Sequence, residues 1–185
     1  GGFPVPASPV RAAARQAADA AGSGWRTLQA GARWQVDGVD VVVHHPPGPE
    51  WERQRVRNDD SVVVELRWRS VSLLFAGDIG RDVEATLLPG LSVSRLRVLK
   101  VPHHGSASSS SPGFVAGLRP QVAVVSAGRG NPFGHPSPAV VRRYDDAGAV
   151  LFRTDLDGAV TVDTDGRSLN VSAVSGRQAQ FTISP

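Results

Sequence analysis

Two places in this chain set groups capable of acid–base or metal chemistry directly after a short apolar run. Asp78 follows the run at 71–76 and Gly77, while His103 and His104 follow the run at 96–101 and Pro102, with Gly105 and Ser106 just behind. Runs of this length read as buried strands. Proline cannot donate to a ladder, so pairing must stop at Pro102. One carboxylate and two imidazoles therefore stand beyond the carboxyl ends of two strands, where open α/β sheets present their chemistry. His135 lies in a third loop after the apolar run at 121–126 and joins them. Carboxylates and imidazoles are ligands for Zn²⁺ and Mn²⁺, and such an ion activates water and polarises a phosphoryl oxygen. The catalytic candidates are thus Asp78, His103, His104 and His135, with metal on Asp78 and the histidine pair. If 103–104 stay extended, the two rings point to opposite sides, one to metal and one to substrate.

Each candidate has a plainer alternative. The alternative for Asp78 is a turn carboxylate taking backbone amides, and for the histidine pair a capped strand end, both second to the metal reading; His135 reads equally as a loop residue held between Gly134 and Pro136. Asn58 and Ser61 read first as side chains tying a loop to the site rim, and second as substrate contacts. Ser106, Asn131 and Arg129 complete the substrate-side set. His44 and His45 are read as strand-end residues, because Pro46 and Pro47 follow at once and no acidic partner sits at ligand spacing.

The elements that must position these groups are legible around them. A serine N-cap with proline behind it starts helices at Ser8-Pro9 and Ser137-Pro138. Strands are expected at 25–28, 33–36, 39–43, 62–68, 71–76, 96–101, 121–126, 150–154, 159–163, 168–174 and, weakly, 178–184, with helical segments at 82–88 and 113–118. Only Arg69-Ser70 separates two of these strands, which implies a hairpin, whereas the strand–helix–strand rhythm after residue 76 implies parallel pairing. The fold class expected is therefore α/β, with sheets covered by helices. The run at 44–55 reads as a loop, and the alternation of Arg53, Arg55 and Arg57 allows a phosphate clamp if it is extended.

Bulk composition bounds the function. At 185 residues and 41% hydrophobic content the chain suffices for one domain with a sizeable core. No apolar run approaches the roughly 18 residues of a membrane span, and residues 1–9 carry neither the basic lead nor the apolar block of a signal peptide. With no cysteine, disulfides and thiolate metal sites are excluded. The net charge is +3, and Lys100 is the only lysine among 20 basic side chains. Arginine's planar fork suits phosphate, although a GC-rich coding sequence gives the same bias.

Taken together, NDDSVVVEL, LLFAGDIGRDVE, LKVPHHGSASSSSPGF, VSAGRGNPFGHPSPAVVRRY and LFRTDLDGAVTV resemble the successive motifs of the metallo-β-lactamase-like domain of ComEC-type DNA-internalisation competence proteins. The resemblance covers roughly 58–166, with 1–185 taken as a single domain fragment. It implies an αββα sandwich, of which this is the carboxyl-terminal part. It further implies metal on Asp78 and one of His103 and His104, and hydrolysis of DNA phosphodiesters during uptake. The implied partners are DNA and the membrane-channel portion of the same protein. The implied location is a soluble domain on the outer side of the bacterial plasma membrane.

The family's H-x-H-x-D-H cluster is absent, since histidines occur only at 44, 45, 103, 104 and 135. The first strands are expected to lie before Gly1, so the Zn²⁺ or Mn²⁺ site is expected to be incomplete and the chain alone inactive. The alternative function is a metal-free scaffold that binds DNA or a partner protein at an uptake channel. A third reading keeps the hydrolase and exchanges DNA for a small phosphodiester or other ester.

Overall fold

The computed structural model describes residues 9–48 and 57–183. It begins with helix α1 (Pro9–Ala20), followed by an antiparallel series: β1 (Arg33–Val36), β2 (Val39–His45), β3 (Val63–Trp68) and β4 (Val71–Phe75). From β4 onward strands alternate with helices: α2 (Arg81–Leu87), β5 (Leu96–Lys100), α3 (Pro112–Leu118), β6 (Val122–Val125), α4 (Pro138–Asp146) and β7 (Val150–Arg153). The seven strands form one sheet in chain order, and the β4–β5, β5–β6 and β6–β7 pairs are parallel. The single turn α5 (Thr154–Asp157) leads to a second, antiparallel sheet of β8 (Val160–Thr164), β9 (Ser168–Ala173) and β10 (Gln178–Thr182).

The apolar runs are continuous because both faces of the large sheet are covered. Leu74, Leu99, Val101, Ala123 and Val125 face α2, α3 and α4, where Phe114, Val115, Leu118, Val140 and Tyr144 close one core. Val71, Leu96, Val98, Val122 and Phe152 face the small sheet and meet Leu169 and Val171 in a second core. Strand side chains alternate between faces, so neighbouring residues of one run serve different cores. The layer order is helix, large sheet, small sheet. β8 and β10 alternate half-buried and exposed positions, so the outer face of the small sheet is open among the described residues. Three layers of the implied four are present there.

The expected strand at 25–28 is not formed. The edge of β2 is taken instead by 30–36, with the Ala30 amide on the Pro46 carbonyl and the Gly31 amide on the Val43 carbonyl. The histidine pair departs from expectation too. His103 and His104 have φ of 49° and 55°, so the backbone turns there and is not extended. Arg53 and Arg55 lie outside the described residues. No helix among the described residues is long and apolar enough to cross a membrane.

Candidate active site at the carboxyl ends of β4, β5 and β6

Parallel order sets the site. Because β4, β5 and β6 are adjacent and co-directional, the loops that follow them open on one rim. The β4 loop carries Asp78 and the β5 turn carries His103 and His104. The two segments are tied directly, the His103 amide donating to the Gly77 carbonyl at 3.0 Å. Gly77 (φ 58°) and Gly105 (φ 78°) make the sharp turns, and neither has room for a side chain. A Cβ on Gly77 would lie 2.5 Å from Ser61 Cβ, and one on Gly105 would lie 2.5 Å from Pro136 Cβ.

His104 Nε2 lies 3.5 Å from Asp78 Oδ1. The other ring nitrogen, Nδ1, meets the Ser126 carbonyl at 2.6 Å. A carbonyl only accepts, so it fixes the ring proton on Nδ1 and leaves the neutral ring's Nε2 lone pair turned toward Asp78. His103 is engaged differently. Asn58 Nδ2 donates to its Nε2 at 2.9 Å, and its Nδ1 stands 3.5 Å from Ser108 Oγ. The histidine that faces Asp78 is therefore His104, and both nitrogens of His103 have protein neighbours.

The segment at 58–61 clamps the rim. Asp59 Oδ1 accepts from the Gly80 amide at 2.6 Å, and Ser61 Oγ accepts from the Asp78 amide at 3.0 Å. Asn58, Asp59 and Ser61 thus each hold a different point of the two loops. Behind the serine-rich segment the buried Glu84 accepts from the Ser110 and Ser111 amides, which fixes the start of α3.

His135 lies beside His103, ring centroids 5.9 Å apart, and Phe133 stacks on it at 5.9 Å. Asn131 brackets His135, its Oδ1 accepting from the His135 amide at 3.0 Å and its Nδ2 donating to the His135 carbonyl at 2.7 Å. Burial and the neighbouring His103 and His104 hold the His135 pKa below the ordinary imidazole value. The shift favours the neutral form of the ring. Ser106 is buried, with its Oγ 3.0 Å from Ser108 Oγ, so it serves the loop. Arg129 is exposed and donates to the Asp155 carbonyl at 3.3 Å.

Lys100 is the site residue that motif reasoning passed over. Its Nζ donates to the Gly77 carbonyl at 2.9 Å and lies 3.5 Å from Asp78 Oδ1. Burial lowers its pKa, with Asp78 opposing that effect. The available signal was a lone lysine in an arginine-rich chain, at the end of the strand that delivers the histidines.

The His44 and His45 rings are used within the fold. His44 Nε2 lies 2.9 Å from Glu65 Oε2, and His45 Nε2 donates to the Asp59 carbonyl at 2.6 Å.

As a metal centre the described residues fit in part. Asp78 and the Nε2 that His104 turns toward it are suitable donors for a divalent ion, but among the described residues no third His, Asp or Glu completes a cluster. A zinc shell takes four ligands.

No family model matches the chain. Among curated proteins it is similar to Competence protein ComA of Neisseria gonorrhoeae, 37% identical over 130 residues that make up 69% of this chain and 18% of that protein. It is also similar to ComE operon protein 3 of Bacillus subtilis, 29% identical over 116 residues, 63% of this chain and 15% of that protein. Among solved structures it is similar to a metallo-β-lactamase superfamily protein from Thermotoga maritima. That likeness has a TM-score of 0.37 and 12% identity, covering 68% of this chain and 58% of that one. The chain spans less than a fifth of the length of these curated relatives. These similarities show that the chain belongs to the ComEC-type competence family as one domain of it.

Proposed function

We propose that the chain, read as one domain with its matching core at 58–166, is part of a metallo-β-lactamase-like, metal-dependent phosphodiesterase that cleaves DNA during uptake. The observation that carries the reading is the facing pair of Asp78 and His104 Nε2, 3.5 Å apart beyond two parallel strands. Asp78 and His104 are the residues that would hold Zn²⁺ or Mn²⁺, with further donors from outside the described residues. When bound, such an ion supplies Lewis-acid activation and offsets phosphate charge. The remaining work falls to this chain's own groups. Lys100 restrains Asp78 and the Gly77 carbonyl, and its charge faces an incoming phosphate. Asn58 sets the orientation of His103, and neutral His135 is placed to accept a proton. Arg57 and Arg129 are candidates to bind backbone phosphates. With two donors in place the chain by itself is inactive. The relatives' names as competence proteins suggest DNA as the partner, and the reading takes the domain to belong to a membrane-bound parent and to lie on its outer side.

A second reading, a metal-free domain that binds DNA or a channel partner, is favoured by two features. Lys100 already sets a cation against Asp78, and no third acidic or histidine donor joins the site among the described residues.

Cleavage of labelled DNA with Mn²⁺ or Zn²⁺, assayed on the chain and on its longest natural form, separates the two. Cleavage by the longer form that falls at least 100-fold in Asp78→Ala and His104→Ala is expected. Undiminished cleavage by both variants, or salt-sensitive DNA binding with no metal uptake in either form, would reject the phosphodiesterase.

A further inference from the structure

Phe133, in the loop after β6, is 77% exposed. Isolated exposed apolar residues are ordinary and mean nothing alone. Here the ring is held in an ordered row. Phe133 lies nearly parallel to His135, at 24° and 5.9 Å, and His135 meets His103 edge-on at 70° and 5.9 Å. The loop that carries Phe133 is pinned on both sides of His135 by Asn131, which also donates to the Gly128 carbonyl at 3.0 Å. Farther on, the Ser137 amide ties the loop to the Gly105 carbonyl at 2.8 Å. A ring exposed on a floppy loop loses its freedom on binding, whereas this one is already placed.

The row borders a groove of about 390 Å³ lined by His104, Ser126, Ala127, Gly128, Asn131, Phe133 and His135. Ala127, Gly128 and Phe133 are the apolar part of this lining, which includes no Asp, Glu, Lys or Arg. His104 in its wall is the ring that faces Asp78, and Arg129 follows Gly128 directly in the chain with its side chain exposed. An occupant matched to these surfaces is flat and apolar, with anionic groups close on either side. A nucleotide within a strand has that form.

We propose that the Phe133–His135 pair is a stacking platform for one nucleobase of the strand whose phosphate lies at Asp78 and His104. The inference rests on the phosphodiesterase reading above and adds the feature of DNA that the site selects. A base inside a duplex has both faces covered by its neighbours, so only an unpaired base can lay a face on Phe133. The site therefore prefers single-stranded DNA or a frayed end. Stacking on an aromatic side chain tolerates any base, because every base has a π face.

The test measures binding with a chelator present, so that no strand is cut. The probes are a single-stranded oligonucleotide carrying 2-aminopurine, its blunt hairpin counterpart closed by a polyether linker so that no base is unpaired, and the same strand with one abasic position at the probe site. The unmodified protein is expected to bind the single strand tighter than the hairpin and to quench 2-aminopurine. Phe133→Ala is expected to weaken single-strand binding by about 5- to 100-fold and to abolish the quench, with hairpin binding unchanged. Phe133→Trp is expected to restore both. Circular dichroism should be unaltered, because the ring is exposed. Equal single-strand affinity in Phe133→Ala and the unmodified protein would overturn the platform. An equal drop for base-containing and abasic strands would do the same. If cleavage still depends on Asp78 in that case, the phosphodiesterase reading stands without the platform. Unmodified protein that neither binds nor cuts DNA ends both.

Discussion

Asn58 Nδ2 lies 2.9 Å from His103 Nε2, a hydrogen bond that spans 45 positions of sequence and joins the turn before β3 to the turn after β5. The amide nitrogen can only donate, so it assigns the proton of the neutral imidazole to Nδ1, toward Ser108. Without Asn58 the ring keeps its place in the chain and loses its tautomer and orientation. Asn58→Ala is expected to lower metal-dependent cleavage by about 10- to 100-fold, the usual cost of losing an orienting partner. Asn58 is exposed, so the melting temperature should stay within about a degree or two. Steady-state kinetics beside a thermal melt checks both halves. A melt that falls in step with activity would mean that Asn58 only holds the fold.

Lys100 and an incoming divalent ion compete for the same carboxylate. Nζ and His104 Nε2 are each 3.5 Å from Asp78 Oδ1. Both Lys100 and Asp78 side chains are part-exposed, at 23% and 37%, so their attraction is screened and worth about 1 kcal/mol or less. Lys100→Gln is therefore expected to tighten Mn²⁺ or Zn²⁺ binding by about 2- to 5-fold, and Lys100→Arg to leave it near the starting value. Titration calorimetry with the metal alone reads this directly. Weaker metal binding in Lys100→Gln would show that the Lys100 link to the Gly77 carbonyl matters more than its charge.

The positions of these groups were legible in the sequence wherever one rule acted alone. Apolar runs covered on both faces gave β4, β5 and β6, and Pro102 marked where pairing ends, so the rim carrying Asp78 and the histidines followed. The direction of each ring did not. His103 and His104 sit in a left-handed turn, and which of them meets Asp78 is decided by the Ser126 carbonyl and by Asn58, contributed from 22 and 45 positions away. Local pattern carries no information about such partners. The missing strand at 25–28 has the same origin. Its propensity was adequate, but the available edge of β2 is taken by 30–36. The roles of Asn58 and Ser61 in tying loops were readable as residue types. The role of Glu84, buried beneath Ser110 and Ser111, was masked by its place in a first helical turn, where an exposed carboxylate is usual.

Gly77 is the point where backbone conformation and packing coincide. Its φ of 58° disfavours any side chain, and a Cβ there would meet Ser61 Cβ at 2.5 Å, the residue whose hydroxyl accepts from the Asp78 amide. The conformational penalty is roughly 1–2 kcal/mol and overpacking adds about 1–3 kcal/mol. Gly77→Ala is thus expected to destabilise the protein by about 2–5 kcal/mol in urea denaturation. It should also displace Asp78, lowering metal affinity under conditions where the variant remains folded. Gly90→Ala, at a glycine with no neighbour near its added Cβ, is the control and should cost little.

Asp157 joins the small sheet to the end of β7. It is almost fully buried, yet its carboxylate accepts from the Arg153 amide at 2.8 Å, from Arg177 Nη1 at 2.9 Å and from Ser175 Oγ at 3.2 Å. Burial alone would raise its pKa, but the Arg153 amide, the Arg177 charge and the Ser175 hydroxyl outweigh it, and the net shift is downward. A carboxylate whose folded pKa lies below its unfolded value of about 3.9 contributes stability that is complete above that pH. The contribution is lost as pH falls through the lower, folded value. Arg177 is half exposed, which screens its share of the gain. Asp157→Asn keeps the shape and removes the charge, and is expected to cost about 1.5–3 kcal/mol at pH 7. The gap between the two proteins should then narrow as the pH is taken from 5 toward 2. Urea melts at each pH follow it, and a gap that stays constant to pH 2 would show that the carboxylate's charge plays no part in holding the small sheet.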